Sequence, residues 1–286
     1  MEKDGKIRVA ILMTVHNRRE NTLKCLAHLE DLVYDKDRIR LDVYITDDGS
    51  TDGTSEAIRN AYPHTILLAG DGSLYWNRGM LYSWTEAARR DYDYYWWVND
   101  DTFVFPDCLA RLLECSGKHQ DKAITVGSTC SSRERDRITY VGWKEGKLIT
   151  ELTAEQNCDS MNGNLVLIPR QVFESLGMND PYYHHSLGDF DYSLRACKAG
   201  IGVIVIPGIA GVCDLHEQVT PWMDPTRPFR ERFRHFFSPV GNNPFEFFHF
   251  KKRHYGWGAA ITSFITNFLH LLFPGIWIKK AKNHSI

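Results

Sequence analysis

Residues 45–54 read Ile-Thr-Asp-Asp-Gly-Ser-Thr-Asp-Gly-Thr, and this stretch decides how the first half of the chain is interpreted. The apolar run Leu41–Thr46 leads into it and predicts a buried strand. Its two glycines and three aspartates predict a tight turn. A helix pattern follows at Thr54–Ala61. Taken alone, such a turn does no more than join a strand to a capped helix, so the surrounding sequence must show whether its acids also bind a ligand.

The alternation of strand and helix patterns continues on both sides of this turn. It predicts an α/β fold with a mostly parallel sheet flanked by helices. The other predicted strands are Ile7–Thr14, Thr65–Leu68, Tyr94–Val98, Ala123–Gly127, Gly163–Ile168 and Gly202–Ile206. The other predicted helices are Glu20–Leu32, Gly79–Arg90, Phe190–Lys198 and one that starts with Asp107–Leu113. A hairpin is predicted from Ile138–Val141 and Lys147–Leu152.

Composition limits the function classes. The 286 residues are 43% hydrophobic and 24% charged, which is typical of a globular protein and excludes a disordered chain. A formal charge of −2 gives no reason to propose a nucleic-acid binder, which usually carries a basic stripe, so no nucleic-acid partner is expected. The seven cysteines are odd in number and lack C-x-x-C spacing, which favours reduced thiols and a cytoplasmic location.

Polar residues follow three of the predicted strands. In an open α/β sheet, ligands bind outside the carboxyl ends of the parallel strands. The candidate ligand-binding residues at these ends are Thr14, Asn17, Arg18, Asp47, Asp48, Asn99, Asp100 and Asp101. The oxygens of residues 99–101 suit a hard divalent cation such as Mg²⁺ or Mn²⁺. The alternative is that these acids only cap the helix that starts at Asp107.

A second acidic pair stands at the start of a predicted helix, in residues 188–195, which read Gly-Asp-Phe-Asp-Tyr-Ser-Leu-Arg. A carboxylate at position 189 is stabilised by the helix dipole and is able to cap the helix. The same carboxylate is suited to act as a general base toward a hydroxyl group. Both roles for Asp189 are compatible with the local pattern.

In order along the chain, these motifs resemble those of family 2 glycosyltransferases with the GT-A fold. The matching segments are the strand and turn 10–18, the acidic glycine-containing loop 45–54, the segment 98–102 with its D-x-D-like acids, and the acidic-pair helix with Lys198-Ala199-Gly200 behind it. The resemblance covers roughly residues 7–215. The stretch 70–80, Gly-Asp-Gly-Ser-Leu-Tyr-Trp-Asn-Arg-Gly-Met, is most similar to the rhamnosyl- and galactofuranosyltransferase-like branch.

The resemblance implies an inverting, metal-dependent transfer of one sugar. The donor would be a UDP- or dTDP-linked sugar and the acceptor a hydroxyl of a glycan or lipid-linked glycan in cell-surface polysaccharide assembly. Asp189 would be the catalytic base. Mg²⁺ or Mn²⁺ would be held by Asp101, with Asn99 and His216 as further ligands. The residues implied at the donor and nucleotide are Thr14, Asn17, Arg18, Asp47, Asp48, Asn77, Arg78, Asn99 and Asp100. Trp143, Tyr183, His185 and Asp191 are candidates for acceptor contact, with plain packing as their alternative role.

Two departures from the family pattern matter. Asn99 replaces the first acid of the D-x-D segment, and the Gln-x-x-Arg-Trp motif of processive synthases is missing, which favours single-sugar addition. A sugar nucleotidyltransferase is an alternative function, but it requires a glycine-rich phosphate loop after the first strand, and Thr14–Glu20 contains no glycine. A carbohydrate-binding relative without catalysis is a third possibility, which Asn99 supports.

The domain prediction follows from these motifs. Residues 1–220 are expected to form the catalytic domain, with a nucleotide-sugar half at 1–118 and an acceptor half at 119–220. Residues 221–286 are expected to form a C-terminal helical extension rich in basic and aromatic residues. Its apolar stretch 258–278 contains polar residues and a Pro-Gly pair, so a helix on the inner face of an anionic membrane and a helix packed on its own domain both stay open.

Overall fold

The computed structural model describes residues 5–215 and 220–275. The chain divides into two compact units. The first comprises Met1–Pro181 and Gly188–Leu215, and the second comprises Tyr182–Leu187 and His216–Ile286.

Alternating strands and helices build the first unit. Its strands are β1 (Ile7–Val15), β2 (Ile39–Asp47), β3 (Ile66–Ala69), β4 (Tyr94–Val98), β5 (Phe103–Val104), β6 (Ala123–Cys130), β7 (Gly142–Lys144), β8 (Lys147–Leu148), β9 (Gln156–Asn157), β10 (Ser160–Met161), β11 (Leu165–Pro169) and β12 (Gly202–Val212). Its helices are α1 (Arg19–Glu30), α2 (Thr54–Ala61), α3 (Tyr75–Ala87), α4 (Cys108–Lys118), α5 (Arg170–Leu176) and α6 (Gly188–Lys198).

The main sheet is mixed but mostly parallel. Its strand order is β3-β2-β1-β4-β11-β6-β12-β5, with β9 paired to β12 outside this path. Strands β3, β2, β1 and β4 run parallel to one another, and β6 runs parallel to β12. Strand β11 is antiparallel to both of its neighbours. The predicted α/β architecture, a mostly parallel sheet with flanking helices, is therefore confirmed.

Two apolar cores cover the two faces of this sheet, and β1 shows why. Its odd-numbered side chains, Val9, Ile11 and Met13, join the core that also contains residues of α1, α2 and α4. Its even-numbered side chains, Ala10 and Leu12, join the core that contains residues of α3, α5 and α6. Because neighbouring strand residues point to opposite faces, a continuously apolar strand predicts exactly such double cover. Large aromatic side chains such as Trp84, Trp96 and Trp97 lie in these cores.

Two of the predicted boundaries in the second half of the sheet differ from the structure for identifiable reasons. The predicted hairpin strand Ile138–Val141 is not formed; β7 starts at Gly142 and pairs with β8. The turn between them fixes this register, because Glu145 and Gly146 both have left-handed backbone angles, with φ of 52° and 74°. Strand β12 runs past the predicted end at Ile206, since its pairing with β6 resumes at Ile209 after an irregularity.

The second unit contains the predicted helical C-terminal extension. Its helices are α7 (Phe229–Phe236) and α8 (Pro244–Leu272), preceded by a 3₁₀ turn at Pro221–Met223. Gly256, with φ of 88°, interrupts α8 and divides it into two helical segments. Trp222, Phe236 and Leu271 form the small apolar core of this unit. Among the residues that the structure describes, no helix combines the length and apolarity needed to cross a membrane.

Candidate functional site

The polar residues after β1, β2 and β4 lie along one edge of the sheet. Strand β1 pairs in parallel with β2 on one side and β4 on the other, with Val15 opposite Asp47 and Leu12 opposite Trp97. The backbone N–H of Asp48 donates to the carbonyl of Val15 at 2.9 Å, so the loop after β2 stays beside the end of β1. This places the predicted strand-end residues together where an α/β sheet binds ligands.

Asp48 organises the start of α3 from a distant point in the sequence. Its buried carboxylate accepts hydrogen bonds from the backbone N–H groups of Gly72 at 2.8 Å, Leu74 at 3.2 Å and Tyr75 at 2.8 Å. These N–H groups would otherwise lack partners at the helix N-terminus. Helix α3 therefore begins at Tyr75, four residues before the predicted Gly79.

Asp47 has a similar structural role within its own loop. One carboxylate oxygen accepts from the backbone N–H of Ser50 at 2.9 Å, and the other accepts from the hydroxyl of Ser55. Like Asp48, this residue is only 3% exposed. The carboxylate oxygens of both acids thus already accept hydrogen bonds from other groups of the protein. Their direct contact with a nucleotide stays a prediction.

Arg18 connects the end of β1 with the acids after β4. Its Nη1 lies 3.1 Å from Asp100 Oδ1 and 2.6 Å from Asp101 Oδ2. Thr22 Oγ1 donates to the other oxygen of Asp100 at 3.3 Å. Burial raises the pKa of Asp100 to about 6, although Arg18 acts in the opposite direction. Asp101 is the more accessible acid, with 15% of its side chain exposed against 7% for Asp100.

Trp76 connects this acidic segment with Asp189. Its indole Nε1 donates to Asn99 Oδ1 at 2.7 Å. The far edge of the ring lies against Gly163, where a Cβ atom would overlap it. The backbone N–H of Gly163 in turn donates to Asp189 Oδ2 at 2.9 Å. The segment 99–101 and Asp189 therefore lie on one continuous set of contacts, although almost 90 residues separate them in the chain.

Asp189 has the properties of a proton acceptor. Its second oxygen accepts from the backbone N–H of Phe190 at 2.9 Å, so both oxygens have a fixed orientation at the start of α6. Burial raises the pKa of Asp189 to about 6, and the N–H bonds from Gly163 and Phe190 oppose that rise. A carboxylate offers about four lone-pair positions, so it can still accept a proton from a hydroxyl group.

Three more predicted residues lie around this edge. Asn17 is exposed, has a left-handed φ of 50°, and accepts from the backbone N–H of Thr51 at 2.7 Å. Thr14 donates its hydroxyl to the carbonyl of Trp76 at 3.3 Å. Arg78, in the first turns of α3, donates through Nε to the carbonyl of Pro181 at 2.9 Å.

Three residues predicted to contact a ligand are fully buried. Asn77 is 0% exposed and bonds through Nδ2 to the carbonyl of Asp180 at 2.8 Å. Asp191 is also 0% exposed and pairs with Arg195 Nε at 2.9 Å. Tyr183, in the second unit, is 0% exposed. Each of these side chains packs inside the protein, and its contact with a donor or an acceptor stays a prediction.

The remaining predicted residues are dispersed. Trp143 lies on β7 of the first unit, half-buried, with its Nε1 3.4 Å from Asn162 Oδ1. His185 is exposed in the second unit. Their contact with an acceptor stays a prediction. His216 lies outside the described residues, so its assignment as a metal ligand also stays a prediction.

Among residues 99–101, Asp101 is the one whose carboxylate oxygens fit a hard divalent cation. The Asn99 oxygen is already bonded to Trp76, and Asp100 is enclosed by Arg18 and Thr22. Asp101 also pairs with Arg18, through Oδ2 at 2.6 Å, but its side chain is 15% exposed and is therefore the more accessible of the two acids. Mg²⁺ typically needs only one or two protein carboxylates, since waters and substrate phosphates complete its octahedral shell. Asp101 alone is therefore compatible with such a site.

Sequence comparison decides the family. The family model described as "Glycosyl transferase family 2" matches residues 10–177, which is more than half of the chain. The chain belongs to glycosyl transferase family 2. Its match contains the strand-end acids, Trp76 and Gly163, while Asp189 follows shortly after it. None of the curated proteins matches the chain by sequence.

Solved structures support the GT-A fold for this family 2 glycosyltransferase. The mannosyltransferase PcManGT from Pyrobaculum calidifontis, in complex with GDP-Man and Mn²⁺, is similar with a TM-score of 0.57 at 14% identity, over 90% of this chain and 74% of that one. S. aureus TarS 1–349 is similar with a TM-score of 0.56 at 10% identity, over 91% and 81% of the two chains. At these identities the likeness shows the fold alone.

The candidate site contains contact residues that the sequence did not reveal. Trp76 and Gly163 connect the two acidic segments, and Thr22 supports Asp100. The only signal in the sequence was indirect: Trp76 stands within the stretch 70–80 that carried the resemblance, and Gly163 begins a predicted strand. Neither position has a residue type whose chemistry points to catalysis.

Proposed function

We propose that this family 2 glycosyltransferase moves one sugar, with inversion, from a UDP- or dTDP-linked donor to a hydroxyl of a glycan or lipid-linked glycan. The observation that carries the proposal is the set of contacts from Asn99 through Trp76 and Gly163 to Asp189 at the carboxyl ends of the strands. It supports a single site in which the acids for the diphosphate and the acid for the acceptor hydroxyl are held in one rigid arrangement.

Asp189 would act as the general base. It takes the proton from the acceptor hydroxyl while that oxygen attacks the anomeric carbon from the side opposite the diphosphate, which inverts the configuration. Its pKa of about 6 supports this role, because the group is ionised at neutral pH and still basic enough to accept a proton. The N–H groups of Gly163 and Phe190 would keep the carboxylate aimed during the reaction.

The diphosphate would bind near Asp101 and Arg18. Asp101 would hold Mg²⁺ or Mn²⁺, which when bound supplies charge neutralisation for the leaving diphosphate. PcManGT, a structure of the same fold, contains Mn²⁺ with GDP-Man, which supports this assignment. Arg18 now neutralises Asp100 and Asp101, and its guanidinium is a good phosphate ligand once the cation takes over that task. Arg78 would add a second positive charge.

Thr14 and Asn17 would line the nucleotide pocket, with Asp47 and Asp48 shaping its walls through the loops that they order. The resemblance of residues 70–80 to the rhamnosyl- and galactofuranosyltransferase-like branch makes these two sugars donors to test first, beside galactose and glucose. This segment is tied to the site by Asp48, which bonds to three of its backbone N–H groups. A change of sugar specificity within the family is therefore expected to involve this segment.

The C-terminal extension supports a reaction at the inner face of the cytoplasmic membrane, within cell-surface polysaccharide assembly. After Gly256, exposed apolar side chains recur at helical spacing on one face of α8: Trp257, Ile261, Ile265, Leu269 and Leu272. Lys251, Lys252 and Arg253 precede this stripe. An apolar helical face beside basic residues is the pattern by which helices bind anionic lipid surfaces, where a lipid-linked acceptor would reside.

The transfer reaction is tested by nucleoside-diphosphate release from a panel of UDP-, dTDP- and GDP-sugars with Mn²⁺, with wild-type protein and Asp189→Asn. Loss of a general base is expected to lower turnover about 10²- to 10⁴-fold without changing nucleotide affinity. Asp37→Asn, at an exposed position outside the site, is the matched control and should retain activity. Full activity in both Asp189→Asn and Asp101→Ala would show that the assigned roles are wrong.

A carbohydrate-binding relative without turnover is the second candidate. The specific observation in its favour is Arg18, which already forms ion pairs with both acids, together with the Asn99 amide at the first D-x-D position. The same panel separates the two functions. Thermal stabilisation by a nucleotide sugar without any diphosphate release, with every donor and a mixture of glycan acceptors, would favour the silent relative.

Membrane contact is tested separately by flotation with phosphatidylglycerol vesicles. The full chain is expected to float with these vesicles and to remain behind with phosphatidylcholine vesicles. The double variant Ile261→Ser/Ile265→Ser is expected to lose flotation and keep its melting temperature, because both side chains are exposed. Equal flotation of the variant and the wild type would exclude the apolar stripe as the membrane contact.

A further inference from the structure

A second group of metal-ligating side chains lies in the first unit, on α4. Cys115 and His119 stand four residues apart, at the end of α4 and directly after it, so they share one helix face. Glu155 comes from the segment just before β9. The Cys115 Sγ, a His119 ring nitrogen and a Glu155 carboxylate oxygen all lie within 4.8 Å of one another. A thiol, an imidazole and a carboxylate converge at one point.

These three groups already interact through the atoms that would bind an ion. His119 Nε2 lies 2.9 Å from Glu155 Oε2. The Cys115 thiol also interacts with the Glu155 carboxylate, and burial together with that negative charge raises the pKa of the thiol to about 12. Lys118 contacts the opposite oxygen, Oε1, at 3.6 Å and is itself paired with Glu114 at 2.8 Å. The oxygen that faces His119 is therefore not the one occupied by the lysine.

We propose that Cys115, His119 and Glu155 form a binding site for a transition-metal ion with affinity for thiolate and imidazole, Zn²⁺ being the best match. Sulfur, nitrogen and oxygen donors are the usual zinc ligands, and a hard ion such as Mg²⁺ avoids sulfur. Tetrahedral zinc bonds of about 2.0–2.3 Å separate the ligand atoms by roughly 3.3–3.8 Å, well inside the observed 4.8 Å limit. Water would complete the fourth position.

Binding would replace protons by the metal ion. The Cys115 thiol releases its proton to solvent and coordinates as thiolate, and the neutral imidazole of His119 carries its proton on Nδ1 so that Nε2 can coordinate. The site would fix the end of α4 to the segment before β9, a strand that pairs with β12. It uses none of the residues placed at the transfer site, so it is independent of the proposed function.

The experiment titrates metal-free protein with Co²⁺, a spectroscopic substitute for Zn²⁺. One equivalent is expected to give a thiolate-to-Co²⁺ charge-transfer band in the near ultraviolet and strong visible bands typical of tetrahedral geometry. One equivalent of Zn²⁺ should then remove both bands and raise the melting temperature. Absence of a charge-transfer band at stoichiometric Co²⁺ would overturn the proposal.

Variants identify the ligands. Cys115→Ser should lose the charge-transfer band, while Cys197→Ser, which removes another thiol of the same unit, should retain it. Glu155→Gln keeps the thiol and the fold of α4, and should weaken Co²⁺ binding at least about tenfold, the loss found even for outer-sphere partners. Asp101→Asn should leave the Co²⁺ spectrum unchanged. Retention of the band in Cys115→Ser, or unchanged affinity in Glu155→Gln, would contradict the assignment.

Discussion

Lowering the pH from 7 to 5 should slow this glycosyltransferase about tenfold by protonating Asp189. Burial raises the pKa of that carboxyl from its ordinary 3.8 to about 6. With a pKa of about 6, roughly nine-tenths of the base is ionised at pH 7 and roughly a tenth at pH 5. The value of kcat/KM should therefore fall about tenfold over this range. An aspartate with the ordinary pKa would stay more than about nine-tenths ionised, and the rate would hardly change.

The assay measures initial rates of nucleoside-diphosphate release between pH 5 and pH 8, at saturating Mn²⁺ and with the best donor of the panel. Asp100 needs a control, because burial raises its pKa to about 6 as well. The acidic limb is expected to persist in Asp100→Asn, whatever the effect of that change on the maximal rate. No side-chain substitution can serve as a control for the hydrogen bond from Gly163 to Asp189, because Gly163 donates through its backbone N–H.

Two outcomes would refute this reasoning. A pH profile that stays flat down to pH 5 would show that no group with the raised pKa controls turnover. A limb that disappears in Asp100→Asn would assign the titration to the acid beside Arg18 instead. The first outcome would refute the raised pKa of Asp189, and the second would assign the titration that controls turnover to Asp100. The family membership and the fold would stand in both cases.

Three further predictions concern stability. Because the folded-state pKa of Asp189 lies above the unfolded value, its contribution to the free energy of unfolding is present at low pH and is lost as the pH rises through about 6. Urea denaturation should therefore show that Asp189→Asn loses less free energy of unfolding between pH 4 and pH 7 than the wild type does, and an identical pH dependence of the two proteins would contradict this. Asp191→Asn leaves the Arg195 guanidinium without its buried partner and should cost about 3–5 kcal/mol in urea denaturation; a loss under about 1 kcal/mol would mean that the pair contributes little. Trp76→Phe removes the indole donor from Asn99 and should cost about 1–3 kcal/mol while also lowering kcat; unchanged kcat would separate Trp76 from the catalytic arrangement.

The sequence predicted the elements whose signals are local. The apolar runs that became β1 and β4 are buried along most of their length, and β2 is buried in its last four residues, so each is recognisable without knowledge of its neighbours. The helix start at Tyr75 was missed because its cap is supplied by Asp48, on another loop. The hairpin itself was predicted, but its first strand was placed at Ile138–Val141, because that run is richer in β-branched and aromatic residues than Gly142–Lys144, the segment that pairs with β8.

The site was predicted in part for the same reason. Acids at strand ends and at a helix start indicate the segments around Asp101 and Asp189, because the residue types can be read directly from the sequence. The burial of a polar side chain cannot be read from the sequence in this way. Asn77 and Asp191 stand in the same motifs as exposed residues, yet both are 0% exposed. The contacts of Trp76 depend on residues up to about 90 positions away, so no local pattern contains them.

The most direct test is an anomalous difference map from crystals grown with Mn²⁺ and, in turn, UDP, dTDP and GDP. We expect a manganese peak at the carboxylate of Asp101, with the diphosphate of one nucleotide beside it and the Asp189 carboxylate facing the space where the donor sugar would extend. A bound diphosphate away from the ends of β1, β2 and β4, or manganese at a position remote from Asp101, would contradict the proposed active site.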